Sequence, residues 1–195
     1  MAAKSTLMNM AVCLTAVCLI CSAILGGVYA LTKAPIDAAA QKALTESISA
    51  VLPEGGDLSD SNACSAEGVD EYYVLSEGGS AKAFAVKSST NGFGGTLTLM
   101  VGVLADGTVY NTSVLAHSET PGLGAKCTDE ESHFRTQFKG FNGRFAVTKD
   151  GGDIDAITAS TITSRAFTKA VEQAVNAVKA IAATTSNTEE ETSNE

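Results

Sequence analysis

No charged side chain occurs between Ser5 and Thr32, and Leu7 to Leu31 is apolar apart from Asn9, Thr15 and Ser22. A helix built from this run would be roughly 37 Å long at about 1.5 Å per residue, enough to cross a hydrocarbon core of about 30 Å with some tilt. A cleaved signal peptide is the rival reading, because Val28-Tyr29-Ala30 presents small residues where a peptidase would cut. The apolar run is longer than the roughly 7–15 residues of such a peptide, which favours a retained single-pass anchor. Lys4 and the amino terminus precede the run, while Lys33 follows it with Asp37 close behind. By the positive-inside rule the N-terminus lies in the cytoplasm and the rest of the chain is extracytoplasmic.

The remainder of the 195 residues can hold one ordinary globular core. A formal net charge of -9, without clustered Lys and Arg, excludes nucleic acid as a partner. Cys13, Cys18 and Cys21 fall inside the apolar run, so only Cys64 and Cys127 belong to the domain, where either a disulfide or two free thiols is open. His117 and His133 stand alone, without the cysteine or histidine spacing of a metal site, and no metal is expected.

The expected organisation is a cytoplasmic stub and anchor (1–32), a membrane-proximal helix (33–56), a domain (57–183) and a disordered acidic tail (184–195). Asp37 is suited to cap the second helix, whose apolar stripe runs through Ala40, Leu44, Ile48 and Val51 or Leu52 until Pro53 stops it. Gly55 to Gly68 reads as a turn-rich loop. Strands are expected at Glu71–Leu75, Ala81–Lys87, Thr96–Leu104 and Thr108–Ala116, with Asp106-Gly107 turning the last hairpin. Thr96, Thr98 and Met100 alternate with Leu97, Leu99, Val101 and Val103, so one face meets a core and the other a second layer or solvent. A helix at about Asp129–Phe138 follows, then strands near Phe145–Val147 and Ile154–Thr158. A last helix is expected at about Ser164–Ala182, with Phe167, Val171, Ala174, Val175, Val178 and Ile181 on its packed face. The fold class is α+β, with a mainly antiparallel sheet packed by helices.

Two segments concentrate chemistry. In Ile157-Thr158-Ala159-Ser160-Thr161-Ile162-Thr163-Ser164, five hydroxyl residues crowd the junction between a strand and a helix. The free N–H groups and positive dipole end of a helix's first turn suit a phosphate, although plain N-capping also uses Ser and Thr. In His117-Ser118-Glu119-Thr120-Pro121-Gly122-Leu123-Gly124, Pro121 fixes one backbone angle while Gly122 and Gly124 permit close approach. That composition fits a loop presenting backbone groups to a ligand, or a strand-exit turn. The dinucleotide and Walker spacings are absent from it.

Behind an N-terminal span, and in this order, these segments resemble the FMN-binding domain shared by the G subunit of the Rnf ion-translocating electron transport complex and the C subunit of the sodium-translocating NADH:quinone reductase. Gly92-Phe93-Gly94-Gly95 resembles the family's glycine-rich entry to its hairpin, and Glu119-Thr120-Pro121-Gly122-Leu123-Gly124 its most distinctive loop. Thr158-Ala159-Ser160-Thr161-Ile162-Thr163 resembles its flavinylation motif: Ser or Thr, Gly, Ala, Thr, any residue, then Thr or Ser. Ala159 and Ser160 depart from that pattern, which has Gly and Ala there. An Ala forced into positive φ would be strained by roughly 1 kcal/mol, so an αR or β backbone is expected at Ala159.

The resemblance implies an electron-transfer protein that is not catalytic alone. It would carry covalent FMN through a phosphoester to Thr161, in an Rnf-type complex of the inner (cytoplasmic) membrane coupling ferredoxin/NAD electron transfer to ion translocation, with its domain in the periplasm. Glu119 and Thr120 would line the flavin or its phosphate, with Leu123 in the same loop, and Gly122 and Gly124 would let the backbone approach. Thr158, Ser160, Thr163 and Ser164 would surround the phosphate at the helix start. The implied partners are other membrane and redox subunits, and a magnesium-dependent flavin transferase that uses FAD. The C subunit of the quinone reductase, an anchored anion-binding module without redox work, and a structural tether without ligand are the alternatives.

Overall fold

The computed structural model describes the backbone of residues 7–192 and side chains to residue 183. By its contacts the chain divides into two units, residues 1–43 and 44–195. In the first, helix α1 (Leu7–Val51, ending in the second unit) carries apolar side chains that are exposed all round, including Leu7, Leu14, Ile20 and Leu31. It is long and apolar enough to cross a membrane, with a mean hydropathy of 2.4 in its most apolar window. The break expected before Asp37 is absent: α1 continues through Pro35, and Asp37 is an interior residue rather than a cap. Proline costs one backbone hydrogen bond, and the Ala-rich sequence on its C-terminal side favours helix strongly enough to carry the chain past it.

In the second unit, a sheet runs in the order β1 (Asp57–Leu58), β3 (Val69–Glu77), β4 (Ser80–Asn91), β5 (Thr96–Leu104) and β6 (Val109–Ala116), and β2 (Asn62–Ala63) also pairs with β3. All these pairings are antiparallel. The short β1 and β2 occupy the segment expected to be only loop. At the β5–β6 hairpin, Gly107 N–H donates to Leu104 O (2.9 Å) and Thr108 N–H to Asp106 Oδ1 (2.8 Å). Gly107 takes φ 84, the left-handed backbone that an Asp-Gly turn supplies.

Both faces of the sheet are covered, which explains why β5 is buried almost continuously rather than on alternate residues. On one face Leu97, Leu99, Val101 and Val103 join Phe84 and Val86 beneath helix α3 (Thr161–Thr192), which contributes Phe167, Val171, Ala174, Val175 and Val178. Phe134, Phe138 and Phe167 pack here with ring centroids 5.0 to 5.5 Å apart. On the other face the end of α1 buries Ile48, Val51 and Leu52 against Tyr73, Leu75, Ala83, Ala85 and Met100. Asn111 Nδ2 donates to Ala50 O there (2.9 Å), satisfying a carbonyl at the helix end.

Four expected elements change. The helix at about Asp129–Phe138 shrinks to one turn, α2 (His133–Thr136), because the Ser132 hydroxyl captures Arg135 N–H (3.3 Å) and starts it late. The strands near 145–147 and 154–158 reduce to one parallel bridge, Val147 to Ile154. Helix α3 begins at Thr161, not Ser164, because Ser164 N–H already donates to Ser160 O (3.0 Å). The tail expected to be disordered, 184–195, has side chains outside the described residues, and its backbone is described only as the last turns of α3.

At Gly102 the end of α1 lies directly against the sheet, since a Cβ there would overlap the Val51 carbonyl. Gly102→Ala must therefore push backbone from backbone. We expect a loss of about 3 kcal/mol or more, read as a lowered urea midpoint by circular dichroism.

Candidate functional site

The site is organised around Glu119, which follows β6 and is only 5% exposed. Its Oε1 accepts N–H donations from Phe93 (2.8 Å) and Gly94 (3.3 Å), and its Oε2 accepts the Thr163 hydroxyl (2.6 Å). One carboxylate thus ties together the β4–β5 loop, the β6 exit and the start of α3. The segments touch so closely that a Cβ on Gly94 would overlap the Ser118 carbonyl. Beyond Glu119, the N–H groups of Leu123 and Ala125 both donate to Thr120 O (3.2 Å each). With Pro121 second and Gly122 third at φ 77, Thr120–Leu123 has the signature of a type II turn.

The hydroxyl-rich segment is a second turn leading into α3. Ser160 N–H donates to Ile157 O (3.0 Å), which puts Ala159 third in the turn. Ala159 has φ 62 and is, among the described residues, the non-glycine with positive φ. The αR or β conformation expected for it is therefore wrong: the turn demands the backbone that the family's glycine would supply. Ser164, fully buried, donates its hydroxyl to Ser160 O (2.9 Å) and accepts Ile157 N–H (2.9 Å), bracing the turn from inside.

A cleft of about 330 Å³ lies between the two turns, within the range of small-molecule sites. Of the residues singled out in the sequence, Glu119, Thr120, Leu123, Gly124, Ser160, Thr161 and Thr163 line it, whereas Gly122, Thr158 and Ser164 do not. Phe93, Ala159 and Ile162 complete the wall. Phe93, Leu123 and Ile162 are 67%, 43% and 51% exposed, so three large apolar side chains stand in solvent around one polar floor. Such surface is unusual unless something covers it.

The hydroxyls of the segment divide by environment. Thr163 and Ser164 are spent on Glu119 and Ser160 O, Ser160 is buried, and Thr158 is exposed outside the cleft. Thr161 is the first residue of α3 and lines the cleft, and its Oγ1 accepts from the Lys149 ammonium (3.4 Å). Lys149 sits in a 3-10 turn, Thr148–Asp150. Asp150 is paired with Arg165, which holds its carboxyl below the usual range, while Asp150 in turn raises the Arg165 guanidinium. Sequence reading missed Lys149, Asp150 and Arg165: nothing in the spacing of TKDGGD announces a partner twelve residues on.

Arg135 is also buried, its guanidinium donating to Thr128 O (3.0 Å) and to Thr112 O. Cys64 and Cys127 are free thiols. Among the described residues no group of three His, Cys, Asp or Glu side chains gathers as a metal site.

A family model described as an FMN-binding domain matches residues 92–176, the span from the Phe93 loop into α3. The G subunit of the proton-translocating ferredoxin:NAD(+) oxidoreductase complex of Clostridium ljungdahlii is 35% identical over 169 residues, 85% of this chain and 88% of that protein. The G subunit of the ion-translocating oxidoreductase complex of Vibrio vulnificus is 34% identical over 165 residues, 76% of this chain and 78% of that protein. A crystal structure of the C subunit of the Na(+)-translocating NADH-quinone reductase from Parabacteroides distasonis is 26% identical over 56% of this chain and 60% of that one, with a TM-score of 0.44. The chain belongs to the G-subunit family of ion-translocating oxidoreductase complexes.

Two outcomes follow from these environments. Ala159→Gly should stabilise the chain by about 1 kcal/mol, since relief of the left-handed strain exceeds the added freedom of the unfolded chain, and thermal unfolding measures it. Burial, aided by the Glu119 carboxylate, pushes the Cys127 thiol up to about 11 from 9.0. A raised acid pKa means folding favours the protonated form, so stability from this group is complete below pH 9 and falls as pH rises towards 11. Maleimide at pH 8 should label Cys127 only after unfolding, as peptide mapping will read.

Proposed function

We propose that this chain is the flavin-bearing, membrane-anchored electron-transfer member of an ion-translocating oxidoreductase complex, with FMN joined to Thr161 through a phosphoester. The observation that carries the reading is the environment of Thr161: its hydroxyl lies in the cleft, at the first turn of α3, beside one ammonium. A phosphate there would meet the free N–H groups of the first turn, the positive end of the helix and Lys149. Phe93, Leu123 and Ile162 offer apolar surface for a flat aromatic ring, and Thr120 rims the cleft. The residues present therefore fit the group.

Attachment would form a bond from Thr161 Oγ1 to the riboflavin-side phosphorus of FAD and break that phosphorus's bond to the bridging oxygen. AMP leaves with that oxygen and its electron pair, and the hydroxyl proton passes to a base of a separate flavin transferase. When bound, the isoalloxazine ring supplies the redox chemistry. The chain's own contribution is position and charge. Lys149 balances the phosphoester, Glu119 holds the loops that form the walls, and Ser164 braces the turn that presents Thr161.

A covalent tether has a physical rationale. With the anchor in the membrane and the domain on the periplasmic side, a dissociable flavin would be lost to dilution, whereas an ester fixes its concentration beside the other subunits.

Intact mass and peptide mapping test the reading on chain expressed with a flavin transferase. The expected result is an added mass of FMN less water on Thr161, absent from Thr161→Ala. An unmodified chain, where a positive control is modified, would defeat the covalent reading. An adduct on Ser160 or Thr163 would move the site.

A further inference from the structure

We propose that the Asp150–Arg165 ion pair is a positioning clasp for the acceptor site: it fastens the Thr148–Asp150 turn to α3 and so holds the Lys149 ammonium at the Thr161 hydroxyl. The inference rests on the covalent attachment proposed for Thr161. Arg165 Nε donates to Asp150 Oδ2 (2.6 Å) and its second terminal nitrogen to Oδ1 (2.7 Å), a two-pronged contact that fixes orientation as well as distance. Arg165 lies four residues after Thr161, one helical turn along α3, and Asp150 immediately follows Lys149. The clasp therefore joins the turn bearing the cation to the turn bearing the acceptor.

The far end of the same turn is held by backbone. Thr148 N–H donates to Ile154 O (2.8 Å) and Ile154 N–H to Ala146 O (3.1 Å). Left without the clasp, the turn would be fixed on that side only, and Lys149, an exposed and flexible side chain, would spread over many rotamers. Asp150 also offsets the charge of Arg165, so that the net positive charge beside Thr161 belongs to Lys149. Side chains 52% and 40% exposed make a pair of little value to stability. Its fork geometry is accounted for by positioning.

The test is the rate of covalent flavin incorporation into the full-length chain, followed by intact mass with FAD and a flavin transferase. Asp150→Asn and Arg165→Gln should each slow incorporation by about tenfold, as misplacement of a charged group at a reacting atom does. Melting temperatures should stay within about 3 °C of wild type. If the clasp acts through Lys149, the double variant Lys149→Ala/Asp150→Asn should be no slower than Lys149→Ala alone. Clasp variants modified at the wild-type rate would overturn the proposal, and so would a double variant slowed by the product of the two single effects. A wild-type chain left unmodified would overturn the covalent reading and this inference with it, whereas modified wild type with unaffected variants overturns the clasp alone.

Discussion

A carboxylate taken out of water must be met by donors, and those of Glu119 come from segments far apart in sequence. Two backbone N–H groups of the Phe93–Gly94 turn and the hydroxyl of Thr163 converge on it. This arrangement sets the distance between the β4–β5 loop and the N-terminal end of α3, and hence the width of the cleft between the apolar rim and Thr161. Bonds to a charged acceptor are stronger than neutral ones, so the joint is stiff as well as specific. Glu119 faces the cleft, but its oxygens are already engaged. It therefore braces the segments that form the cleft while also lining it.

The same economy runs through the sheet beneath. β5 has one face under α3 and the other under the end of α1, so the domain's core includes the last turns of the helix that carries the anchor. Gly102 lets the Val51 backbone approach, and Asn111 and Ser113 give polar partners to Ala50 and Ser47. The Leu44–Val51 stretch is thus part of the domain's fold, although α1 as a whole begins at Leu7.

Much of this is legible in the sequence because it is written locally. The apolar run, the Thr96–Leu104 alternation, the Asp106-Gly107 turn and the apolar stripe of α3 each depend on residues a few positions apart. What escapes depends on contacts across the fold. Nothing near Ser132 says that its hydroxyl will start a helix at His133 rather than at Asp129. Nothing in TKDGGD says that Lys149 will stand beside Thr161. At Ala159 the side chain argues for an αR or β backbone, but the turn sets the backbone and the alanine bears the strain.

That strain leads to the two departures at Ala159 and Ser160. A residue held at φ 62 persists only if its neighbours leave no alternative. Here Ser160 N–H bonds to Ile157 O, Ser164 N–H to Ser160 O, and Ile157 N–H to the Ser164 hydroxyl, so the turn is closed on itself. The extra hydroxyl of Ser160 enters this closed turn buried at 7% exposure, with its own carbonyl receiving both the N–H and the hydroxyl of Ser164. Ser160 nonetheless lines the cleft, as Thr161 does. Thr161, one residue on, is turned out by the helix start into the cleft and onto Lys149. The turn thus keeps its closing hydrogen bonds with Ala159 and Ser160 in place, at the cost of a left-handed alanine.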